Sequence, residues 1–105
     1  MARYVLHVES RPASPEVEDE FNRWYDEVHI PEVVALDGIV SAVRFTPTAP
    51  DGPYIAHYAL EGDPEQAVKN LSAAAADGRL GMSDTLRTAP APRMHILKVA
   101  TEYRP

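Results

Sequence analysis

Cysteine is missing from the chain. Its absence excludes disulfides, thiolate metal sites, iron–sulfur clusters and cysteine nucleophiles together. No apolar run approaches the roughly 18 residues of a membrane-spanning helix. The opening Met1-Ala2-Arg3-Tyr4-Val5-Leu6-His7 also lacks the apolar stretch of a signal peptide. A cytoplasmic protein with no membrane partner is therefore expected. Positive charge is scarce: ten Lys+Arg face sixteen Asp+Glu, for a formal net charge of −6. Without a Lys/Arg-rich run to offset that balance, a nucleic-acid partner is disfavoured. The four histidines show no His-x-His, His-x3-His or HExxH spacing, so no metal site is expected. Nucleophile elbows, phosphate loops and dinucleotide fingerprints are absent as well, and no cofactor is expected.

What remains is an ordinary globular composition, 45% hydrophobic and 25% charged, in 105 residues. That length predicts a single domain over 1–105. A chain of this size buries only about two-thirds of its unfolded surface, so dimerisation is a natural way to bury more. Residues 3–9 alternate as a strand, with Tyr4, Leu6 and Val8 on one face and Val5, His7 and Glu9 on the other. Ser14-Pro15-Glu16 reads as a helix start, with Ser14 as the cap and Pro15 in the first position. Val17, Phe21, Trp24 and Val28 then recur at helical spacing as one apolar stripe. Asp37-Gly38 supplies the turn that ends this unit.

A second strand is predicted over 39–45, with Ile39, Ser41, Val43 and Phe45 on one face and Val40, Ala42 and Arg44 on the other. The proline-rich loop that follows leads to a third strand over 54–60. Asp63-Pro64-Glu65 repeats the cap-and-proline signal and opens a helix to about Asp77-Gly78. Residues 79–92 read as a mobile connection with one helical turn, and Arg93–Glu102 as the last strand. The order β-α-β-β-α-β with right-handed crossovers predicts an α+β, ferredoxin-like domain: a four-stranded antiparallel sheet with two helices on one face. The uncovered sheet face carries apolar residues on every strand, and a second copy is the economical way to hide it.

The densest chemistry lies in Trp24-Tyr25-Asp26-Glu27-Val28-His29-Ile30-Pro31. Histidine titrates near neutrality and can move a proton at working pH. Proline disfavours helical geometry in the residue before it, so Pro31 either kinks the helix or opens a short second one over 31–36. At about 100° per residue, Tyr25 and His29 share one flank of the apolar stripe. Both readings of the break let His29 face a cavity. Asp26 and Glu27 face away from the stripe, toward solvent.

Phe21 to Pro31, followed by Leu36-Asp37-Gly38-Ile39 and Ala42-Val43-Arg44-Phe45, resembles the EthD-like group of the dimeric α/β-barrel superfamily. That pattern has a helix with Trp-Tyr, an acidic or amide pair, His-x-Pro, then a turn glycine into a strand bearing arginine. Asp37 departs from it, since an apolar residue usually precedes the glycine, and 79–92 has no counterpart. The resemblance implies a homodimer with a small-molecule pocket. It names no reaction, because superfamily members range over monooxygenases, lactone isomerases, polyketide cyclases and haem-degrading enzymes.

The expected catalytic set is His29, aided by Tyr25 or His7. His7 is alternatively a hydrogen-bonding residue of a dimer interface. Trp24, Arg44, His57 and Tyr58 are the candidate substrate contacts. His57 and Tyr58 lie on opposite strand faces, so only one can enter a given pocket. Trp24 doubles as core, and Arg44 is either an oxyanion ligand or half of a salt bridge. His95 is expected at the surface or an interface. The expectation is a cofactor-free acid/base enzyme for an aromatic, polyketide-like or lactone substrate. The competing reading is a binding or accessory dimer; haem handling is a third, without a companion signature.

Overall fold

The computed structural model describes residues 3–105. Four strands, β1 (Tyr4–Ser10), β2 (Ile39–Phe45), β3 (Tyr54–Leu60) and β4 (Arg93–Lys98), form one antiparallel sheet in the order β2-β3-β1-β4. With its helical segments the chain is an α+β, ferredoxin-like domain. Leu6, Val8, Tyr54, Ala56 and Tyr58 point from the sheet into the core, where Phe21, Val33, Ala67, Leu71 and Ala74 of the helices meet them. Among the described residues no helix is long and apolar enough to cross a membrane.

The first helical unit is compound. A 3-10 turn, Pro15–Val17, leads into α1 (Glu18–Trp24), a π turn (Tyr25–His29) and α2 (Ile30–Val34). Ser14 is extended, as a cap residue should be, but its side chain accepts no capping hydrogen bond, contrary to expectation. Backbone bonding begins instead from its carbonyl, which accepts from Val17 N–H at 3.3 Å. Pro31 does not break the unit; it lies in the first turn of the short α2, which covers Ile30–Val34 where 31–36 was expected. His29 and Ile30 both keep right-handed helical angles, and the Ile30 N–H reaches back to the Tyr25 carbonyl. This five-residue closure widens the turn, which relieves the clash a proline ring makes with the carbonyl four residues earlier.

The helix α3 (Pro64–Ala76) starts as expected: the Asp63 carboxylate accepts from Glu65 N–H at 3.0 Å. Gly38, between α2 and β2, brings that turn against α3. Its φ of 89° suits glycine, and a Cβ there would stand 3.0 Å from the Ala67 Cβ.

Alternation in β2 does not run straight through. Ile39 pairs with Leu60 and Ser41 with Ala59, leaving Val40 as an extra residue in a bulge. The bulge moves Ile39, only 2% exposed, onto the core face with Ala42 and Arg44. Ser41, Val43 and Phe45 take the opposite, open face. Strict alternation groups Ile39 with that second set, and one unpaired residue reverses the assignment. β4 ends at Lys98 rather than Glu102. Residues 79–92 contain no helical turn, and they are not merely a tether. Leu80, Thr85 and Leu86 are buried, and Leu86 bridges to Pro12.

Candidate functional site

The π turn decides where His29 goes. In a regular α-helix, residues five apart lie about 140° apart around the axis. The wider turn brings Trp24 and His29 into register, and their rings stack with centroids 4.7 Å apart. Tyr25 meets the same imidazole edge-on at 4.9 Å. The extra residue also rotates the stripe. Phe21 and Tyr25 are buried while Val28, expected in the core, is 38% exposed. Single-turn π-bulges occur mostly inside α-helices and frequently at functional sites.

His29 faces a cavity of about 330 Å³ between the helices and the core face of the sheet. Tyr25 of the π turn and Tyr58 of β3 line it, α3 adds Leu71, and Leu80, Leu86 and Met94 extend the apolar wall. Two polar atoms stand out against that lining. His29 Nδ1 and the Tyr58 hydroxyl are buried with no hydrogen-bond partner among the described residues. Burial pushes the His29 imidazole from 6.5 down to about 4; Glu32 opposes that shift and Arg44 adds to it. Burial likewise raises Tyr58 far above the ordinary phenol range, with neighbouring Tyr25 adding to the rise. Tyr25 stands close to it, but no hydrogen bond of ordinary geometry satisfies the Tyr58 hydroxyl. Near neutral pH the imidazole and the phenol beside the cavity are therefore both neutral, and both of these polar atoms are sealed from solvent.

The remaining candidates divide between supports of this site and a different surface. Trp24 is half-buried, and its Nε1 donates to the Gly81 carbonyl at 2.6 Å. Glu32 accepts from Gly81 N–H at 2.8 Å, so the two side chains pin the start of the 79–92 wall to the helix. Arg44 does not line the cavity. It donates to Asp26 at 2.7 Å and Asn22 at 2.9 Å, and its guanidinium lies 4.2 Å from the Tyr25 ring centroid. The Asp26 side chain is 62% exposed, as expected, and is half of that ion pair. Arg44 thus clamps β2 to the π turn behind Tyr25. The clamp continues through Asn22 to Tyr54, whose hydroxyl donates to Glu18 at 2.5 Å. That bond raises the Tyr54 pKa above its usual value, since an ionised phenol would lose it.

His7 does not join His29. It sits on the open face of the sheet, in register with His57 of β3 and His95 of β4. His7 Nδ1 lies 2.9 Å from His57 Nε2, and His7 Nε2 lies 3.1 Å from Glu9. A carboxylate only accepts, so in the neutral pair His7 donates to Glu9 and accepts from His57. Burial, and then the charge of a protonated His7, lower the His57 pKa. Among the described residues, no three His, Cys, Asp or Glu side chains converge as metal ligands would. Of the β3 pair, Tyr58 therefore takes the cavity and His57 the open face.

Tyr25, His29 and Tyr58 come together from the sequence candidates. The apolar wall from Leu80 to Met94 is not legible in the sequence, because 79–92 carries no periodicity. Its only signal is three spaced apolar residues, Leu80, Met82 and Leu86, in a polar stretch. No protein-family model matches the chain, and no curated protein matches it.

Proposed function

We propose that the chain is a cofactor-independent enzyme that binds a small, largely apolar molecule in the His29 cavity and moves a proton on it. The observation that carries this reading is the pair of buried, unpartnered polar atoms, His29 Nδ1 and Tyr58 OH, on residues that line a mostly apolar cavity. Buried polar groups normally find partners, and leaving one unsatisfied costs about 1–3 kcal/mol. A guest with one polar edge and an apolar body would satisfy both. Aromatic, polyketide-like and lactone molecules have that character. His29 takes a proton from a carbon or hydroxyl next to the substrate carbonyl, while Tyr58 donates to the oxygen on which charge develops. Returning the proton at another atom completes an isomerisation; cyclisation, dehydration or oxygenation of the same enolate would start identically.

The resemblance of residues 21–45 to EthD-like proteins and the β-α-β-β-α-β order support membership of the dimeric α/β-barrel superfamily. A homodimer packed sheet to sheet belongs to the same proposal. Val43 and Phe45 on the open face are 56% and 45% exposed, more than a lone domain needs to leave there. A binding-only dimer is the second reading. It is favoured by the low pKa of His29, about 4, well below the neutral range where an acid/base group works best.

Untargeted mass spectrometry of molecules co-purified with the protein, followed by binding and turnover assays, tests the proposal. His29→Gln keeps hydrogen bonding without useful proton transfer. Binding retained with turnover down roughly 100- to 10,000-fold supports catalysis. Binding without any turnover in the parent supports the second reading. A folded His29→Ala variant with unaltered binding and turnover would remove both.

A further inference from the structure

A second cavity, of about 240 Å³, lies at the far end of β1 and is lined by Arg11, Arg87 and Arg93. The chain has only ten Lys+Arg against sixteen Asp+Glu, yet none of these three arginines is ion-paired among the described residues. The backbone holds two of them side by side. Arg87 N–H donates to the Arg11 carbonyl at 2.9 Å, and Pro12 bridges to Leu86 beside them. Arg93 opens the adjacent strand β4. Like charges kept together by main-chain bonds repel unless something negative sits between them. Arg11 donates to the Asp51 carbonyl, which carries no full charge. Glu9 also lines the cavity and faces Arg93 in register; its carboxylate accepts from His7 and keeps its charge, so it offsets only one of the three cations. Pro53, Pro90 and Pro92 complete the wall with side chains that offer no donor or charge.

We propose that Arg11, Arg87 and Arg93 form a binding site for a small oxyanion group, a phosphate or a carboxylate. Guanidinium presents paired donors in a planar fork that matches either group, and three forks around one cavity suit a multiply accepting anion. The site is separate from the His29 cavity but adjoins it, since Ser10, Ala91 and Pro92 line both.

Calorimetric titration of the intact protein with inorganic phosphate, and separately with succinate, at constant ionic strength tests this. Saturable binding is expected, weakened at least about tenfold in the Arg87→Ala/Arg93→Ala double variant, which is about 1.4 kcal/mol. Circular dichroism checks that the variant is folded. Arg87→Lys keeps the charge without the fork and should fall between the two. A response to phosphate alone assigns a tetrahedral anion; a response to both assigns a site for either group. No saturable binding in the parent, or equal binding in the folded double variant, overturns the proposal.

Discussion

His29 is held neutral by its surroundings, and that has a consequence for stability. Its folded pKa of about 4 lies below the ordinary 6.5, so the unfolded chain binds the proton more readily between those values. Stability from this group is fully present above pH 6.5 and is lost as the pH falls toward 4. Each tenfold drop in proton affinity corresponds to about 1.4 kcal/mol, which bounds the effect at about 3 kcal/mol. Thermal melts from pH 7 to 4 should show the parent losing stability relative to His29→Gln, which cannot titrate; parallel curves would contradict the burial. Trp24 acts through two contacts, its stack on His29 and its bond to Gly81. Because it is only half-buried, Trp24→Ala should cost less than the about 3–5 kcal/mol of a fully buried tryptophan. It should also loosen the 79–92 wall, read as faster amide exchange at Leu80–Met82.

The two proline-led helix starts look alike in sequence and differ in the fold. Asp63 makes its capping bond and Ser14 does not. Asp63→Ala should therefore destabilise by about 1 kcal/mol, whereas Ser14→Ala should stay within about 0.5 kcal/mol. Denaturant titrations of both variants measure the contrast, and equal losses would mean that Ser14 caps in solution. The turn between α2 and β2 is less forgiving. At Gly38, left-handed geometry and the closeness of Ala67 act together, so Gly38→Ala should cost about 1–2 kcal/mol or more. The π turn is the element that most shapes the site. It is legible in retrospect as the accommodation of Pro31, but residue spacing alone reads equally well as a kink.

At the scale of the whole molecule, the sheet has one face filled by helices and one left open. The open face bears Val43, Phe45 and Leu97 around the row His57, His7, His95. If a second copy covers it, Phe45→Glu should place a charge in the interface and give a monomer by light scattering, with the monomer's secondary structure retained. A parent that is already monomeric at micromolar concentration would remove the dimer. The same surface would then be expected to bind histidine-reactive or apolar probes freely.

Strand positions, the helix from Asp63 and the shared flank of Tyr25 and His29 were legible without a structure, because each depends on local periodicity, capping and turn chemistry. The core-facing side of Ile39 was not, since the bulge at Val40 exists only in relation to β3. Nor was the side taken by His7: alternation puts it opposite Leu6, but only the packed helices establish which of those faces is the core. The use of Arg44 as a clamp depends on Asp26 and Asn22 arriving from another element. Residues 79–92 lack any repeat, and they became the wall of the cavity because Leu80 and Leu86 are buried where the helices leave room. Local chemistry thus named the histidine and its neighbour, while long-range packing brought Tyr58 to the same cavity.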